Sequence, residues 1–500
     1  MEVSIILNPL LNRVGLPLFE QIKIKHISSA LNKVLKENRN IIEKIASNKK
    51  EPSWENFVCP LQQSNEKLSR VWSQISHLNS VVNNEELRII YNKNLNKVTK
   101  YHSELSQNTI IYKKFKKIKI GKFYQKLSSP QKKIITDEIL GFELGGVGLD
   151  NEKKSQFKKI LSKLSKLSAS FEENLLDSVN NYSLLIKDKK KLKGVPKNIL
   201  DKAKIDAKKQ KKEGWAFTLD FPCYLPLMQY ADNRELREEI YYAYATKASD
   251  LSDKKTDNTS NINNILFNKK KLSHLLGFSD YASMALTTKM ASSSKEVINF
   301  LENLAKKAKP FATKDMNDLK DYGEKINISN IEAWDIAYLS EKIKEERFNY
   351  SEQEIKNYFP DYKVIEGLFK VVEKIYGIYI KKEIVEVWHK DVTFYKITDS
   401  SGQIIGSFYL DLYARKNKRG GAWMDEAISK FKFPNEKTYP VAYLTCNFTA
   451  PIEKEFSLLT HDEVITLFHE FGHGLHHLLT EINDYGVSGI QGVEWDAVEL

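Results

Sequence analysis

Two histidines and a glutamate between positions 469 and 473 have the spacing of a zinc-binding motif, His-Glu-x-x-His. On an α-helix of about 3.6 residues per turn, positions four apart lie one above the other, so His469 and His473 can present two imidazole nitrogens to one metal ion. Glu470 lies beside that pair, where its carboxylate can reach a water molecule on the metal. The spacing therefore predicts hydrolytic chemistry, with zinc as the metal and Glu470 as the base.

The residues around this motif predict the helix that the chemistry requires. Thr460 and Glu463 have the spacing of a capping box, in which the hydroxyl and the carboxylate satisfy the first free backbone amides. Apolar residues then recur at steps of three and four, which predicts one buried face that does not include the histidines. They are Val464, Leu467, Phe468, Phe471, Leu475 and Leu478.

A catalytic zinc ion takes three protein ligands and leaves one position for water, so a third donor is needed. Residues 492–499 look like the first turns of a second helix and carry three carboxylates, those of Glu494, Asp496 and Glu499. The competing donor is His476, on the same face as His473. We favour Glu499 over His476, because three ligands on one straight helix form a row and not the corner of a tetrahedron. Spacing alone does not choose among the three carboxylates.

Residues 469–479, H-E-F-G-H-G-L-H-H-L-L, and residues 486–500, G-V-S-G-I-Q-G-V-E-W-D-A-V-E-L, resemble the thimet oligopeptidase family of zinc metallopeptidases, and its bacterial members most of all. The segments 408–425 and 442–448 extend the resemblance. It implies that His469, His473 and Glu499 bind one zinc ion per chain and that Glu470 is the catalytic base. We assign Asp496 a supporting role, in which its carboxylate orients a metal-bound imidazole.

Amphipathic helices dominate the first part of the chain, and we predict four of them at residues 27–45, 61–82, 87–105 and 157–185. A domain change near residue 215 divides the chain into an N-terminal helical domain at 1–214 and a catalytic domain at 215–500. Residues 215–221 alternate like a strand and end at Pro222. Helices return at 233–380, and one of them starts at a second capping box, Ser293 with Glu296.

The segments 384–398, 403–413 and 439–448 are rich in β-branched and aromatic residues, which predicts a small antiparallel sheet before the zinc-binding helix. An exposed edge of that sheet could hydrogen bond to an extended peptide. We predict 439–448 or its neighbour as this edge, with structural support of the metal helix as the alternative. The fold class is therefore mainly α, and the resemblance implies two largely helical domains around a deep substrate channel.

The chain carries 77 lysines and arginines against 65 acidic residues, a net charge of +12. Its two lysine-rich segments, 113–122 and 187–212, contain no arginine, so we interpret them as solvated helix faces and expect no specific nucleic-acid partner. Neither a signal peptide nor an apolar run of about 18 residues is present, which favours the cytoplasm and no membrane association. Three scattered cysteines give no disulfide framework. We also expect a monomer.

The predicted activity is that of a zinc metallo-endopeptidase, which by resemblance acts on short, unfolded oligopeptides. A dipeptidyl carboxypeptidase of the same family is the alternative. A non-enzymatic helical scaffold that binds metal or polyanions is a third possibility, but structural zinc sites have no use for a base such as Glu470. Family members are longer than this chain, which stops at Leu500. The resemblance therefore implies that the catalytic domain is incomplete at its C-terminus, and we expect little peptidase activity from the 500 residues as they stand.

Overall fold

The computed structural model of the chain describes residues 8–349, 351–434, 436–452 and 456–499. Long helices that pack against one another form its first part. They are α1 (Ile24–Ser47), α2 (Cys59–Val81), α3 (Glu85–Ser106), α4 (Thr109–Ile120), α5 (Ser129–Leu144), α6 (Asn151–Asn181) and α7 (Lys197–Lys209). The helices predicted at 27–45, 61–82 and 87–105 are thus confirmed. Within the described residues, no helix has the length and apolar character needed to cross a membrane.

Short polar side chains begin several of these helices. Asn84, Asn108 and Asp150 each accept a hydrogen bond from a backbone N–H group in the first turn of α3, α4 and α6. Such N-terminal caps satisfy amides that have no partner within the helix. The start of each of these three helices is therefore set by the residue that precedes it in sequence.

A two-stranded ribbon follows α6, where the predicted helix 157–185 proves too long. The helix ends at Asn181, and strand β1 (Leu184–Ile186) pairs antiparallel with β2 (Trp215–Phe217). The strand predicted at 215–221 is shorter than expected, because helix α8 (Phe221–Tyr230) begins with Pro222 in its first turn. Proline is well tolerated there, since the first amides of a helix lack intrahelical partners in any case.

Apolar side chains on both sides of residue 215 belong to one cluster, which joins the ribbon to α7 and α8. Ile186 and Ile199 contribute from one side, and Phe217 and Leu227 from the other. The division into domains at 1–214 and 215–500 stays a prediction.

Helices return after α8, as predicted. They are α9 (Arg234–Ala245), α10 (Thr259–Leu275), α11 (Tyr281–Leu286), α12 (Ser294–Lys325), α13 (Ala333–Phe348), α14 (Glu352–Ile355) and α15 (Asp361–Tyr376). This helical region ends before Ile380, because Gly377 adopts a left-handed conformation with φ of 65° and closes α15.

The second capping box is only half formed at the start of α12. The Ser293 hydroxyl accepts a hydrogen bond from the N–H group of Glu296, as predicted, but the Glu296 carboxylate accepts one from Ser292. The connection between α11 and α12 is therefore fixed by two adjacent serines and one glutamate.

Seven strands follow α15: β3 (Tyr379–Glu383), β4 (Thr393–Thr398), β5 (Ile404–Tyr413), β6 (Trp423–Ile428), β7 (Phe431–Phe433), β8 (Glu436–Thr438) and β9 (Val441–Phe448). Five of them form a sheet in the order β3-β4-β5-β9-β6, and β7 pairs with β8. The last helix, α16 (His461–Leu478), follows this region.

The prediction of a purely antiparallel sheet is wrong at one pair of strands. β5 and β9 run parallel, whereas the other pairs are antiparallel. Between them the chain forms β6, β7 and β8, a connection long enough for a parallel pair. Since β9 lies between β5 and β6, the segment 439–448 is not an edge. Its neighbour β6 is the edge strand on that side of the sheet.

The sheet lies between two helical layers. Tyr409 of β5 and Tyr443 of β9 belong to the same cluster as the buried side chains of the N-terminal helices. Phe408 and Leu444, on the opposite face of the same strands, pack with side chains of α15 and α16. Because side chains alternate between the two faces along each strand, α16 packs on one face of the sheet and α2 packs on the other.

Candidate metal centre

Helix α16 carries the His-Glu-x-x-His motif and begins as the sequence predicts. The Thr460 hydroxyl accepts a hydrogen bond from the N–H group of Glu463 at 3.0 Å, and the Glu463 carboxylate accepts one from Thr460 at 2.8 Å. The N–H group of His461 donates to Glu352 at 2.8 Å. With these free amides satisfied, the start of the helix is fixed.

Leu467, Phe471 and Leu478 are buried between α16 and the sheet. At Gly474 the helix approaches the sheet so closely that a Cβ atom would lie 3.0 Å from Leu444 Cδ2. The predicted burial of Phe468 is wrong, since this side chain is 40% exposed. One residue turns a helix by about 100°, so Leu467 can face the sheet while Phe468 faces away.

His469, His473 and Glu499 bring three potential metal ligands together. The Nε2 atoms of the two histidines are 3.1 Å apart. Oε2 of Glu499 lies 2.8 Å from His469 Nε2 and 3.4 Å from His473 Nε2. Among the described residues, this is the one group of three such side chains whose ligand atoms lie within 4.8 Å of one another.

These three atoms fit the coordination of zinc. Zinc binds histidine nitrogen and carboxylate oxygen at about 2 Å, and a point about 2 Å from all three atoms lies slightly off their plane. The side chains of His469 and Glu499 are 47% and 65% exposed, so water can reach the cluster. Two nitrogens, one carboxylate and an open side are the donor set of a catalytic zinc site.

Glu470 is buried beside this cluster, with 8% of its surface exposed. Burial raises the pKa of Glu470, whereas His473 and His469 oppose the rise. The backbone N–H group of Met424 in β6 also lowers the pKa of Glu470, so the carboxylate lies close to the edge strand. A carboxylate with a raised pKa is a stronger base than one in water.

The candidate third ligand, Glu499, does not lie on a helix. The helix predicted at 492–499 is wrong, because residues 479–499 contain only turns, bends and irregular backbone. The N–H group of Ala497 bonds to the carbonyl of Glu494, which closes a single turn. A first helical turn is costly to nucleate, because it fixes several residues for one hydrogen bond.

The remaining candidate ligands lie outside the cluster. His476 is exposed and is not part of the group of three. Glu494 forms an ion pair with Lys133 at 3.5 Å. The oxygens of Asp496 accept hydrogen bonds from the N–H groups of Met290 and Ala291, and no bond from an imidazole to Asp496 forms within the described chain. Asp496 therefore contacts a connection between helices and not a histidine of the motif.

Two polar residues near the site are not indicated by any pattern in the sequence. His477 is fully buried, and its Nε2 atom lies 3.0 Å from the carbonyl oxygen of Ile428, a bond in which the ring N–H donates. Gln491 donates to both carboxylate oxygens of Glu426 at 3.0 Å. Both contacts join distant parts of the chain, and neither residue type has a spacing that could have indicated its partner.

Comparison with known proteins gives a consistent result. The model of "Peptidase family M3" matches residues 227–500, and that of "Neurolysin/Thimet oligopeptidase, N-terminal domain" matches residues 29–154. Oligopeptidase A of Haemophilus influenzae is 44% identical over 500 residues, which are 99% of this chain and 73% of that protein. Oligopeptidase A of Escherichia coli is 43% identical over 498 residues, with the same two coverages. These matches confirm the resemblance seen in the sequence.

A crystal structure of a protein assigned as an oligoendopeptidase F from Bacillus anthracis has a similar fold. The TM-score is 0.53 at 14% identity, and the match covers 89% of this chain and 64% of that one. At this identity the likeness concerns the fold alone, and it confirms the mainly α class.

Proposed function

Since the chain belongs to peptidase family M3, we propose that it is a zinc-dependent endopeptidase that hydrolyses short, unfolded oligopeptides. The cluster of His469, His473 and Glu499 supports this proposal most strongly. Its three ligand atoms are 2.8, 3.1 and 3.4 Å apart, a spacing that suits one zinc ion. A structural zinc site would have a fourth protein ligand, and none of the described residues completes the cluster in that way.

In this proposal Glu470 moves the proton. When bound, zinc would polarise the scissile carbonyl and the attacking water. A Glu470 oxygen accepts a proton from the water while the oxygen of that water bonds to the carbonyl carbon of the peptide. The same carboxyl group then gives that proton to the leaving nitrogen as the C–N bond breaks. No atom of the chain becomes covalently attached to the substrate.

We propose that the substrate backbone pairs with β6. This strand is at the edge of the sheet, and the backbone N–H group of its Met424 donates a hydrogen bond to Glu470. An extended peptide along such an edge gains main-chain hydrogen bonds that depend little on its side chains. This arrangement suits an enzyme for peptides of varied sequence, and it brings the scissile bond close to the base.

Three parts of the proposal rest on the sequence alone. They are the division into domains at 1–214 and 215–500 around a substrate channel, the cytoplasmic location and the monomeric state. The alternative activity, that of a dipeptidyl carboxypeptidase, uses the same three ligands and the same base. It differs in requiring a free C-terminus on the substrate.

A panel of peptides of graded length, each with a free or a blocked C-terminus, tests this proposal. Products are identified by mass spectrometry after long incubation, with chelator and with zinc restored. Cleavage of internal bonds in blocked peptides, lost with chelator and regained with zinc, supports the endopeptidase. Release of dipeptides from free C-termini alone supports the alternative. Cleavage that persists in chelator overturns the proposal.

A further inference from the structure

The position of Glu499 depends on side chains and not on a helix or a strand. Between Leu479 and Glu499 the described chain has no regular secondary structure. Backbone ladders therefore do not hold this ligand in place, whereas His469 and His473 are held by α16. Contacts from the connection to the rest of the molecule must fix the carboxylate.

Two of these contacts are weak or distant from Glu499. Gln491 bonds to Glu426 of β6, which fixes the connection well before the ligand. Glu494 lies 3.5 Å from the ammonium group of Lys133, and both side chains are more than 40% exposed, at 42% and 43%. Exposed ion pairs of this kind contribute little to a fixed geometry.

Asp496, whose carboxylate is also exposed, makes a two-point contact closer to the ligand. One of its carboxylate oxygens accepts a hydrogen bond from the N–H group of Met290 at 3.0 Å, and the other accepts one from the N–H group of Ala291 at 2.9 Å. Bonds from neutral donors to an ionised carboxylate are stronger than bonds between neutral groups, and two of them fix its orientation. The same N–H groups lower the pKa of Asp496, which keeps it ionised at neutral pH.

The other side of this contact is well held. Met290 and Ala291 belong to the connection between α11 and α12, where the Ser292 N–H group donates to Glu296 at 2.8 Å. The Ser293 hydroxyl accepts a hydrogen bond from the N–H group of Glu296 at 3.2 Å. Successive amides of this connection are thus bonded to Asp496 from one side and to Glu296 from the other.

We propose that Asp496 is a positioning residue, which holds Glu499 at the metal by tying its turn to the connection between α11 and α12. The inference rests on the proposed function, since it concerns a zinc ligand. Because Met290 and Ala291 lie just before α12, we expect zinc affinity to depend on the contact between Asp496 and this connection.

Zinc binding to the 500-residue chain tests the inference without a measurement of activity. Affinity is measured by competition with a chelator for the wild type and for Asp496→Ala and Asp496→Asn. Asparagine keeps the size of the side chain but has one acceptor oxygen. Glu481→Ala is the matched control, because Glu481 is an exposed carboxylate of the same connection. Losing a partner that orients a ligand typically weakens metal binding about 10–100-fold, and we expect this range for alanine and a smaller loss for asparagine.

Thermal unfolding separates positioning from general stability. We expect the metal-free Asp496 variants to unfold at the wild-type temperature and to gain less from zinc, because stabilisation by a ligand follows its affinity. Equal zinc affinity of the wild type and the variants overturns the inference alone. A melting temperature that drops by the same amount in the metal-free and the zinc-bound variant does so too. A wild-type chain that binds no zinc overturns the proposed function as well.

Discussion

His469 and Glu499 meet although one lies on helix α16 and the other on an irregular connection, with Nε2 of the histidine 2.8 Å from Oε2 of the glutamate. No local sequence pattern joins these two residues. Their contact is the product of two separate placements, the packing of α16 on the sheet and the anchoring of residues 479–499. A zinc ion at this point would link the two segments, so metal binding and the order of the connection depend on each other.

Replacing the proposed base should separate catalysis from metal binding. We expect Glu470→Gln to lower the rate of peptide cleavage about 10²–10⁴-fold, because an amide cannot take the proton from water. Zinc content should stay at the wild-type level, since Glu470 is not one of the three ligands. Rates come from mass spectrometry of the products, and metal content from elemental analysis of the same samples.

Asp462→Asn is the control for this comparison. Asp462 is an exposed carboxylate in the first turn of the same helix and should be replaceable without loss of cleavage. A glutamine variant that cleaves as fast as the wild type would show that another group acts as the base.

His77 makes stability depend on pH. The ring is buried, stacks on Tyr443 at 3.8 Å, and lacks hydrogen-bond partners for both nitrogens among the described groups. Burial lowers the pKa of His77 from 6.5 to about 3. The unfolded chain therefore takes up a proton below pH 6.5 that the folded chain takes up only near pH 3, and stability falls as pH drops through this window.

We expect His77→Phe to reduce this fall in stability, because phenylalanine has no proton to bind. Urea unfolding at pH 7 and pH 5 measures it as the difference between the two free energies of unfolding. His274→Gln, at an exposed position, should keep the wild-type difference. The same pH dependence in the phenylalanine variant would contradict the assignment to His77.

Asp335 neutralises a buried arginine. Arg237 and Asp335 are both fully buried, with a guanidinium nitrogen 2.8 Å from a carboxylate oxygen. Asp335→Ala leaves that charge without its partner, so we expect the free energy of unfolding to fall by about 3–5 kcal/mol in urea titrations. Asp315→Ala, at an exposed site on α12, should change it by no more than about 0.5 kcal/mol. Similar losses in the two variants would mean that burial of the ion pair is not the cause.

Local features of the site could be predicted from the sequence. The capping box of Thr460 and Glu463 and the placement of His469 and His473 on one helix depend on residues within one or two turns, and the structure has both the helix and the capping box. The prediction that Phe468 is buried is wrong, because an apolar face defined by steps of three and four is broad. Only the packing partner shows which of two adjacent residues is buried.

Features set by distant contacts could not be predicted in this way. The sequence predicts β9 or its neighbour as the edge strand, and the edge is the neighbour, β6, because strand order depends on how β6 returns along β9. No alternation of side chains encodes that order. The position of Asp496 three residues before Glu499 predicts a bond to a metal-bound imidazole, whereas its partners are at positions 290 and 291. Spacing left three carboxylates open, and the family resemblance favoured Glu499, which the structure has beside both histidines.

The most direct test of the account is the zinc content of the purified chain after equilibrium dialysis against a fixed level of free zinc. We expect one zinc ion per wild-type chain. Losing a group that hydrogen bonds to a metal ligand typically weakens metal binding about 10–100-fold. We expect Glu499→Ala to weaken zinc binding by more than this, because it removes a proposed ligand itself. A wild-type chain without stoichiometric zinc, or an alanine variant that binds zinc as tightly as the wild type, would contradict the assignment of His469, His473 and Glu499 as the metal site.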